Sequence, residues 1–206
     1  MPDFELEERA RAMGFHLIAG VDEAGRGPWA GPVVAGAVVL YTAALPAALR
    51  YGLDDSKKLT AKKREDLFDL LPDCAAIGIG ISEPAEIDNI NILQASFRAM
   101  ERALAGLNPP PDYVLVDGNK MPDIPSHGEP VVKGDSRSFS IAAASIVAKV
   151  TRDRIMADLA GQFPDYGWER NAGYGTAEHK AALERLGVTD QHRQSYAPIR
   201  KILSPG

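Results

Sequence analysis

The chain is poor in cysteine, poor in histidine and without a long apolar run. Its one cysteine, Cys74, cannot form an internal disulfide, and the opening Met1-Pro2-Asp3-Phe4-Glu5 lacks the basic-then-apolar plan of a signal peptide. Both point to a reducing, cytoplasmic setting. No apolar stretch approaches the roughly 20 residues of a membrane span, since the best candidate, 33–45, is interrupted by Gly36 and Thr42. No membrane association is expected. The four histidines, His16, His127, His179 and His192, show neither His-x-His nor His-x3-His spacing, which argues against a zinc site. Repeats and low-complexity tracts are also missing, and a net charge of −5 argues against indiscriminate coating of nucleic acid.

What is present is ordinary in bulk: 206 residues, 45% apolar and 25% charged, enough for one domain with a full core. We expect a single domain over 1–206, with an N-terminal extension over about 1–15 and a C-terminal tail over about 190–206. Short apolar runs predict strands over 17–21, 33–41, 76–81, 113–116 and 130–133. The first two, joined by a Gly/Pro-rich turn, predict a hairpin-like start. Helices are predicted over 60–71, 84–107, 138–160 and 176–186, the second from Ile87, Ile90, Leu93, Phe97, Met100 and Leu104 at three-to-four spacing. This order fits an α/β fold: a mixed five-stranded sheet flanked by helices, with a helical C-terminal region.

The chemistry concentrates in Val21-Asp22-Glu23-Ala24-Gly25-Arg26-Gly27-Pro28, directly after the first apolar strand. Two adjacent acids at a strand end need a cation, because an unpartnered buried charge costs several kcal/mol or more. The glycines let backbone approach a ligand closely, and Arg26 offers a planar fork for phosphate. Acids for a metal and an arginine for a phosphate point to phosphoryl-transfer chemistry.

Asp117 ends the fourth strand in the same apolar-run-then-Asp-Gly pattern. If the two strands are parallel neighbours, Asp22 and Asp117 come about 5 Å apart. Asp135 either completes the ring or caps the helix that follows. Each acid alone has an ordinary explanation: an Asp-Gly turn for Asp117, a cap for Asp135, pairing with Arg26 for Glu23. Together they describe a hard oxygen-donor site suited to Mg²⁺ or Mn²⁺, with room for two ions. Lys57 belongs to a basic track with Arg50, Lys58, Lys62, Lys63 and Arg64, which either follows a polyanion or merely solvates a helix face. Gly25-Arg26-Gly27-Pro28-Trp29-Ala30 formally matches a dinucleotide fingerprint, but Gly31-Pro32 and a strand follow it rather than a helix. A dinucleotide site is therefore excluded.

Several motifs in order over 18–198 resemble those of bacterial ribonuclease HII: the run from Val21 to Pro28, Asp55-Ser56-Lys57-Lys58-Leu59, Val116-Asp117-Gly118, Lys133-Gly134-Asp135, Ser140-Ile141-Ala142-Ala143-Ala144-Ser145 with Lys149-Val150-Thr151-Arg152-Asp153, Gly173-Tyr174-Gly175-Thr176 and His192-Arg193-Gln194-Ser195-Tyr196. The resemblance implies a ribonuclease H-like fold with two metal ions held by Asp22, Glu23, Asp117 and Asp135. It implies that Gly25, Arg26 and Gly27 read the junction between a ribonucleotide and the next deoxyribonucleotide, assisted by Tyr174, and that Lys57 holds a backbone phosphate. The implied substrates are RNA–DNA hybrids and DNA duplexes containing ribonucleotides, cut by a monomeric endoribonuclease. The related ribonuclease HIII carries an extra N-terminal domain and lacks the Gly-Arg-Gly reader, so it fits less well. A junction resolvase- or transposase-like nuclease on the same fold and a non-catalytic nucleic-acid-binding module are the rival readings.

Overall fold

The computed structural model describes residues 2–54 and 56–204; Asp55, part of one motif above, lies outside them. Along the chain come α1 (Glu5–Ala12), β1 (Ile18–Ala24), β2 (Val33–Leu40), α2 (Ala47–Gly52), α3 (Ala61–Phe68), β3 (Ala75–Ser82), α4 (Pro84–Ala105), β4 (Tyr113–Asp117), β5 (His127–Val131), α5 (Phe139–Gln162), α6 (Trp168–Asn171), α7 (Ala177–Leu186) and α8 (Ala197–Leu203). The sheet order is β3-β2-β1-β4-β5. β1 pairs antiparallel with β2 and parallel with β4, and β4 pairs parallel with β5, so the sheet is mixed.

Alternation along the strands divides the core in two. Ala19, Val21, Val114 and Val116 face α4, where Ile87, Ala95, Ala99 and Ala103 meet them. On the other face Val38 and Leu40 meet Ala142, Ala143, Ile146 and Val147 of α5. Contact with α5 is unusually close because glycines stand beneath it. A Cβ on Gly20 would lie 2.1 Å from the Ser140 carbonyl carbon, and one on Gly36 would lie 2.5 Å from the Ala144 oxygen. Small residues on both sides let the helix backbone rest on the sheet, which fixes the height of α5 over the ends of β1 and β4.

Several predicted boundaries shift, each for a local reason. The last strand is His127–Val131, not 130–133, because Lys133 adopts a left-handed conformation (φ 56°) and turns the chain into a short 3-10 turn, Gly134–Ser136. The predicted helix 84–107 is broken at Asn91 (φ 67°), whose side chain accepts from Leu93 N and Gln94 N and so caps a second helical segment. The helix predicted over 60–71 stops at Phe68, and a 3-10 turn, Leu71–Asp73, carries Pro72 into β3. Helices α1, α2, α6 and α8 were not predicted. The segment expected as an N-terminal extension is anchored: Leu6 and Ala10 are buried against Ile18, Tyr113 and Ile141, and the Glu7 carboxylate accepts from Ser138 Oγ at 2.6 Å and Ser140 N at 2.9 Å. A separate cluster, built from Ala30, Met156, Tyr166, Trp168, Leu183 and Ile199, joins the C-terminal helices to the turn after β1. Among the described residues no helix is long and apolar enough to cross a membrane.

Candidate active site

The carboxylates gather where β1 and β4 end. Val21 is the register partner of Val116, so the next residues, Asp22 and Asp117, stand level on neighbouring parallel strands. Alternation puts both on the α5 face, two residues beyond Gly20 and Leu115. Asp135 sits in the 3-10 turn just before α5. It does not cap that helix; Ser138 does, accepting from Ile141 N at 3.1 Å. Asp117 Oδ1 accepts from Gly134 N at 2.6 Å, which ties the end of β4 to the turn that presents Asp135. Glu23, on the opposite side of β1, reaches the same region from the strand's last residues.

Electrostatics shows what such a grouping lacks. Asp22 is buried, and burial together with the charges of Glu23, Asp117 and Asp135 holds its carboxyl well above the ordinary carboxylate range. Burial likewise raises Glu23, with partial relief from Arg26, whose Nη1 lies 3.2 Å from Glu23 Oε1. A divalent cation is the partner that would satisfy this excess of negative charge, and the donors are all oxygens, as Mg²⁺ and Mn²⁺ require. Among the described residues no three acid, histidine or cysteine side chains form a ready-made cage. The carboxylates repel one another and turn to N–H partners instead, Asp22 to Glu23 N at 2.7 Å and Asp117 to Gly134 N.

Beside the acids lies a cleft of about 230 Å³ lined by Asp22, Glu23, the 24–27 turn, Ser56, Lys57, Lys149, Arg152 and Tyr174. The turn needs its first glycine: Gly25 has φ 97°, and a Cβ there would stand 2.0 Å from Arg152 Nε. Gly27 lies against the Tyr174 ring, its missing Cβ only 3.3 Å from Cε1, while Tyr174 as a residue stays 49% exposed. Thus Gly25, Arg26, Gly27, Lys57 and Tyr174 converge on one cleft with Asp22 and Glu23, and Asp117 and Asp135 flank Asp22 outside its lining.

The basic track does not converge as a whole. Of its members only Lys57 lines the cleft. Arg64 turns inward, donating to the Ser56 and Leu59 carbonyls at 2.9 and 2.6 Å, and so shapes the loop that carries Lys57. Lys58 and Lys62 pair with Asp54 and Asp66.

Sequence reasoning carried Lys149, Arg152 and Arg193 only as members of resembling motifs and gave none of them a role. Lys149 lines the cleft and donates to Asp153 at 2.6 Å. Arg152 and Arg193 are fully buried beneath the 25–27 turn. A physical signal for Arg152 existed, because it continues the buried stripe Ala144, Ala148, Met156 at helical spacing; Arg193 had only its place in the motif 192–196. The histidines stay apart from the acids. His127 opens β5 opposite Tyr113, four residues before Asp117 and so about 13 Å away at the usual strand rise. His179 and His192 are buried with their Nε2 atoms 3.0 Å apart; burial lowers both, His192 to about 4, and the His179 Nδ1 meets the Tyr174 carbonyl at 3.0 Å. That pair is a neutral support for the tyrosine's backbone.

Comparison with known proteins places this geometry. The family model described as ribonuclease HII matches residues 19–199. A ribonuclease HII of Rhodospirillum rubrum is 60% identical over 206 residues, spanning 99% of this chain and 93% of the relative. Another, from Ruegeria pomeroyi, is 58% identical, spanning 98% and 85% respectively. Among solved structures, the ribonuclease H2 of Pyrococcus horikoshii superposes with a TM-score of 0.78 at 30% identity, covering 91% of this chain and 97% of that one. The ribonuclease HII of Archaeoglobus fulgidus, solved as a complex with PCNA, has a TM-score of 0.72 at 26% identity and covers 88% and 95%. A protein partner of that kind was not anticipated from the sequence.

Proposed function

The chain belongs to the ribonuclease HII family and is a nuclease of the ribonuclease H type; from that premise we propose that it cleaves the RNA strand of RNA–DNA hybrids and the 5′ side of ribonucleotides embedded in duplex DNA, leaving a 3′-hydroxyl and a 5′-phosphate. The observation that carries the reading is the pairing of Asp22 with Asp117 at one end of two parallel strands, next to a cleft floored by Gly25, Arg26 and Gly27. Asp22, Glu23, Asp117 and Asp135 would hold Mg²⁺ or Mn²⁺. Two such ions held by these acids would supply water activation for in-line attack and charge stabilisation of the departing oxygen. The raised Asp22 carboxyl and the all-oxygen donor set fit that role.

The remaining roles belong to the protein. Backbone groups of Gly25 and Gly27 approach the sugar where a Cβ would block it, and the 2′-hydroxyl is what separates ribose from deoxyribose. Tyr174 stacks on the neighbouring sugar, while Arg26 and Lys57 contact phosphates. We place this activity in one catalytic unit formed by the whole chain, acting as a monomer in the cytoplasm.

The test is a duplex carrying a single ribonucleotide, incubated with and without Mg²⁺ or Mn²⁺, with the cut mapped at nucleotide resolution. Metal-dependent cleavage on the 5′ side of the ribonucleotide is expected. Equal cleavage of the all-DNA duplex favours a junction resolvase-like activity instead, and tight binding without cleavage favours a non-catalytic module.

A further inference from the structure

Two arginines that this reading does not use lie directly under the Gly-Arg-Gly turn. Arg193 and Arg152 are 0% and 1% exposed. Their hydrogen bonds run to carbonyl and hydroxyl oxygens rather than to carboxylates. Burying a guanidinium without a counter-ion is costly, so the position calls for its fixed fork of donors rather than for bulk.

The fork grips the turn from below. Arg193 Nη2 donates to the Gly25 carbonyl at 2.6 Å and Nη1 to the Arg26 carbonyl at 3.0 Å. Tyr196 completes the brace: its hydroxyl accepts from Arg193 at 3.0 Å and donates to the same Arg26 carbonyl at 2.5 Å. In a trans peptide the carbonyl and the N–H that follows it point in opposite directions. Drawing the Gly25 and Arg26 carbonyls inward therefore turns the N–H groups of Arg26 and Gly27 away from Arg193, toward the cleft that this turn lines. Neither N–H donates to another described residue.

Arg152 fixes the opposite wall. Its Nη1 donates to Ala172 O at 3.0 Å, in the turn that carries Tyr174, and its guanidinium fills the space against Gly25 that a Cβ would occupy. The Gly173 carbonyl accepts from Trp29 N at 2.8 Å, tying the same two segments a second time. The two buried cations also stand beside a cleft lined by Asp22 and Glu23, where an incoming phosphodiester needs positive charge.

We infer that Arg193 is the positioning residue of ribonucleotide recognition: through Gly25 and Arg26 it aims two backbone N–H groups, which no described residue accepts, at the ribose 2′-oxygen, and Arg152 sets the span between them and Tyr174. The inference rests on the proposed reading of Gly25-Arg26-Gly27 as the junction reader.

Two variants test it, Arg193→Lys, which keeps the charge and loses the fork, and Tyr196→Phe, which removes one oxygen from the brace and leaves the buried arginine in place. For each, KM and kcat are measured on a duplex with one ribonucleotide at saturating Mn²⁺, the all-DNA duplex of the same sequence serves as competitor to give Ki, and circular dichroism reports melting. Loss of one hydrogen bond predicts that Tyr196→Phe raises KM about 3- to 10-fold. Its kcat and the Ki of the all-DNA duplex should hold, so selectivity falls by the factor lost in KM. Arg193→Lys should move further in the same direction. Parallel rises in KM and Ki, or a fall in kcat at constant KM, mark a merely structural brace and overturn the inference, as does unchanged selectivity in Tyr196→Phe. If Arg193→Lys does not fold, Tyr196→Phe decides alone. Wild-type enzyme that discriminates while Tyr196→Phe discriminates equally well sinks only the brace; wild-type enzyme that fails to discriminate sinks the junction reading along with it.

Discussion

At Asp22 burial and like charge act in the same direction, which makes it the residue whose replacement says most. Its folded-state pKa is raised, so the folded protein keeps this proton to higher pH than the unfolded chain, whose value is near 3.8. Stability from this group is therefore complete below about pH 3.8 and is lost as pH rises through the folded value. Asp22→Asn removes that loss. Without metal at pH 7 the variant should melt above wild type, the gap closing as pH falls toward 4, while turnover drops roughly 10²-fold or more as electrostatic stabilisation is removed. Wild-type rates in Asp22→Asn would falsify the assignment. Tyr174→Ala should cut cleavage at a single ribonucleotide by about 5- to 150-fold, the usual worth of a stacked aromatic, and Tyr174→Phe should recover most of that. Steady-state kinetics on one duplex checks both; full activity in Tyr174→Ala would reduce the tyrosine to packing. His127→Ala should stay within about 2-fold of wild type, as is usual for an exposed position away from the chemistry, and a fall of 10²-fold or more would instead mark a general base.

Among the elements, α5 matters most, because it covers the face carrying Asp22 and Asp117 and begins three residues after the turn holding Asp135. Its height is set by Gly20 and Gly36. Gly20→Ala puts a methyl group 2.1 Å from the Ser140 backbone, so the helix must lift or the strand must bend. Overpacking of this sort typically costs about 1–3 kcal/mol, which for a chain of this size lowers Tm by about 2–4 °C per kcal/mol. The same displacement separates Asp135 from Asp22, so turnover should fall even at temperatures where the variant is fully folded. Differential scanning calorimetry beside a low-temperature activity assay measures the two effects; lowered Tm with intact kcat would show that the acids tolerate a shifted helix.

For the whole molecule, an acidic chain that handles a polyanion must present its positive charge locally. The net charge is −5, yet Lys57, Lys149, Arg152 and Arg26 line one cleft. Binding should weaken with salt, each phosphate contact adding about −0.9 to the slope of log affinity against log salt. Lys57→Ala should flatten that slope by about 1. Fluorescence anisotropy over a salt series gives the number, and an unaltered slope would remove Lys57 from the phosphate contacts.

The sequence alone determined whatever depends on near neighbours. An apolar run ending in Asp22-Glu23 and a second ending in Asp117 are signals of strands seven and five residues long, and Thr60, Ser138 and Thr176 announce their helices through contacts three residues away. From these the mixed sheet and the four acids were legible, and the order of motifs carried the resemblance to one family. What only the tertiary structure decided is which distant groups became partners. Lys133 turned left-handed and ended β5 early; Arg64 left the basic track to hold a loop. Arg193 reached Gly25 across 168 residues of chain. A charged side chain reads as surface in sequence because burial normally leaves its donors unsatisfied. Only a fold that brings carbonyls from the 25–32 turn around one guanidinium makes that burial tolerable, and no local pattern encodes such a meeting.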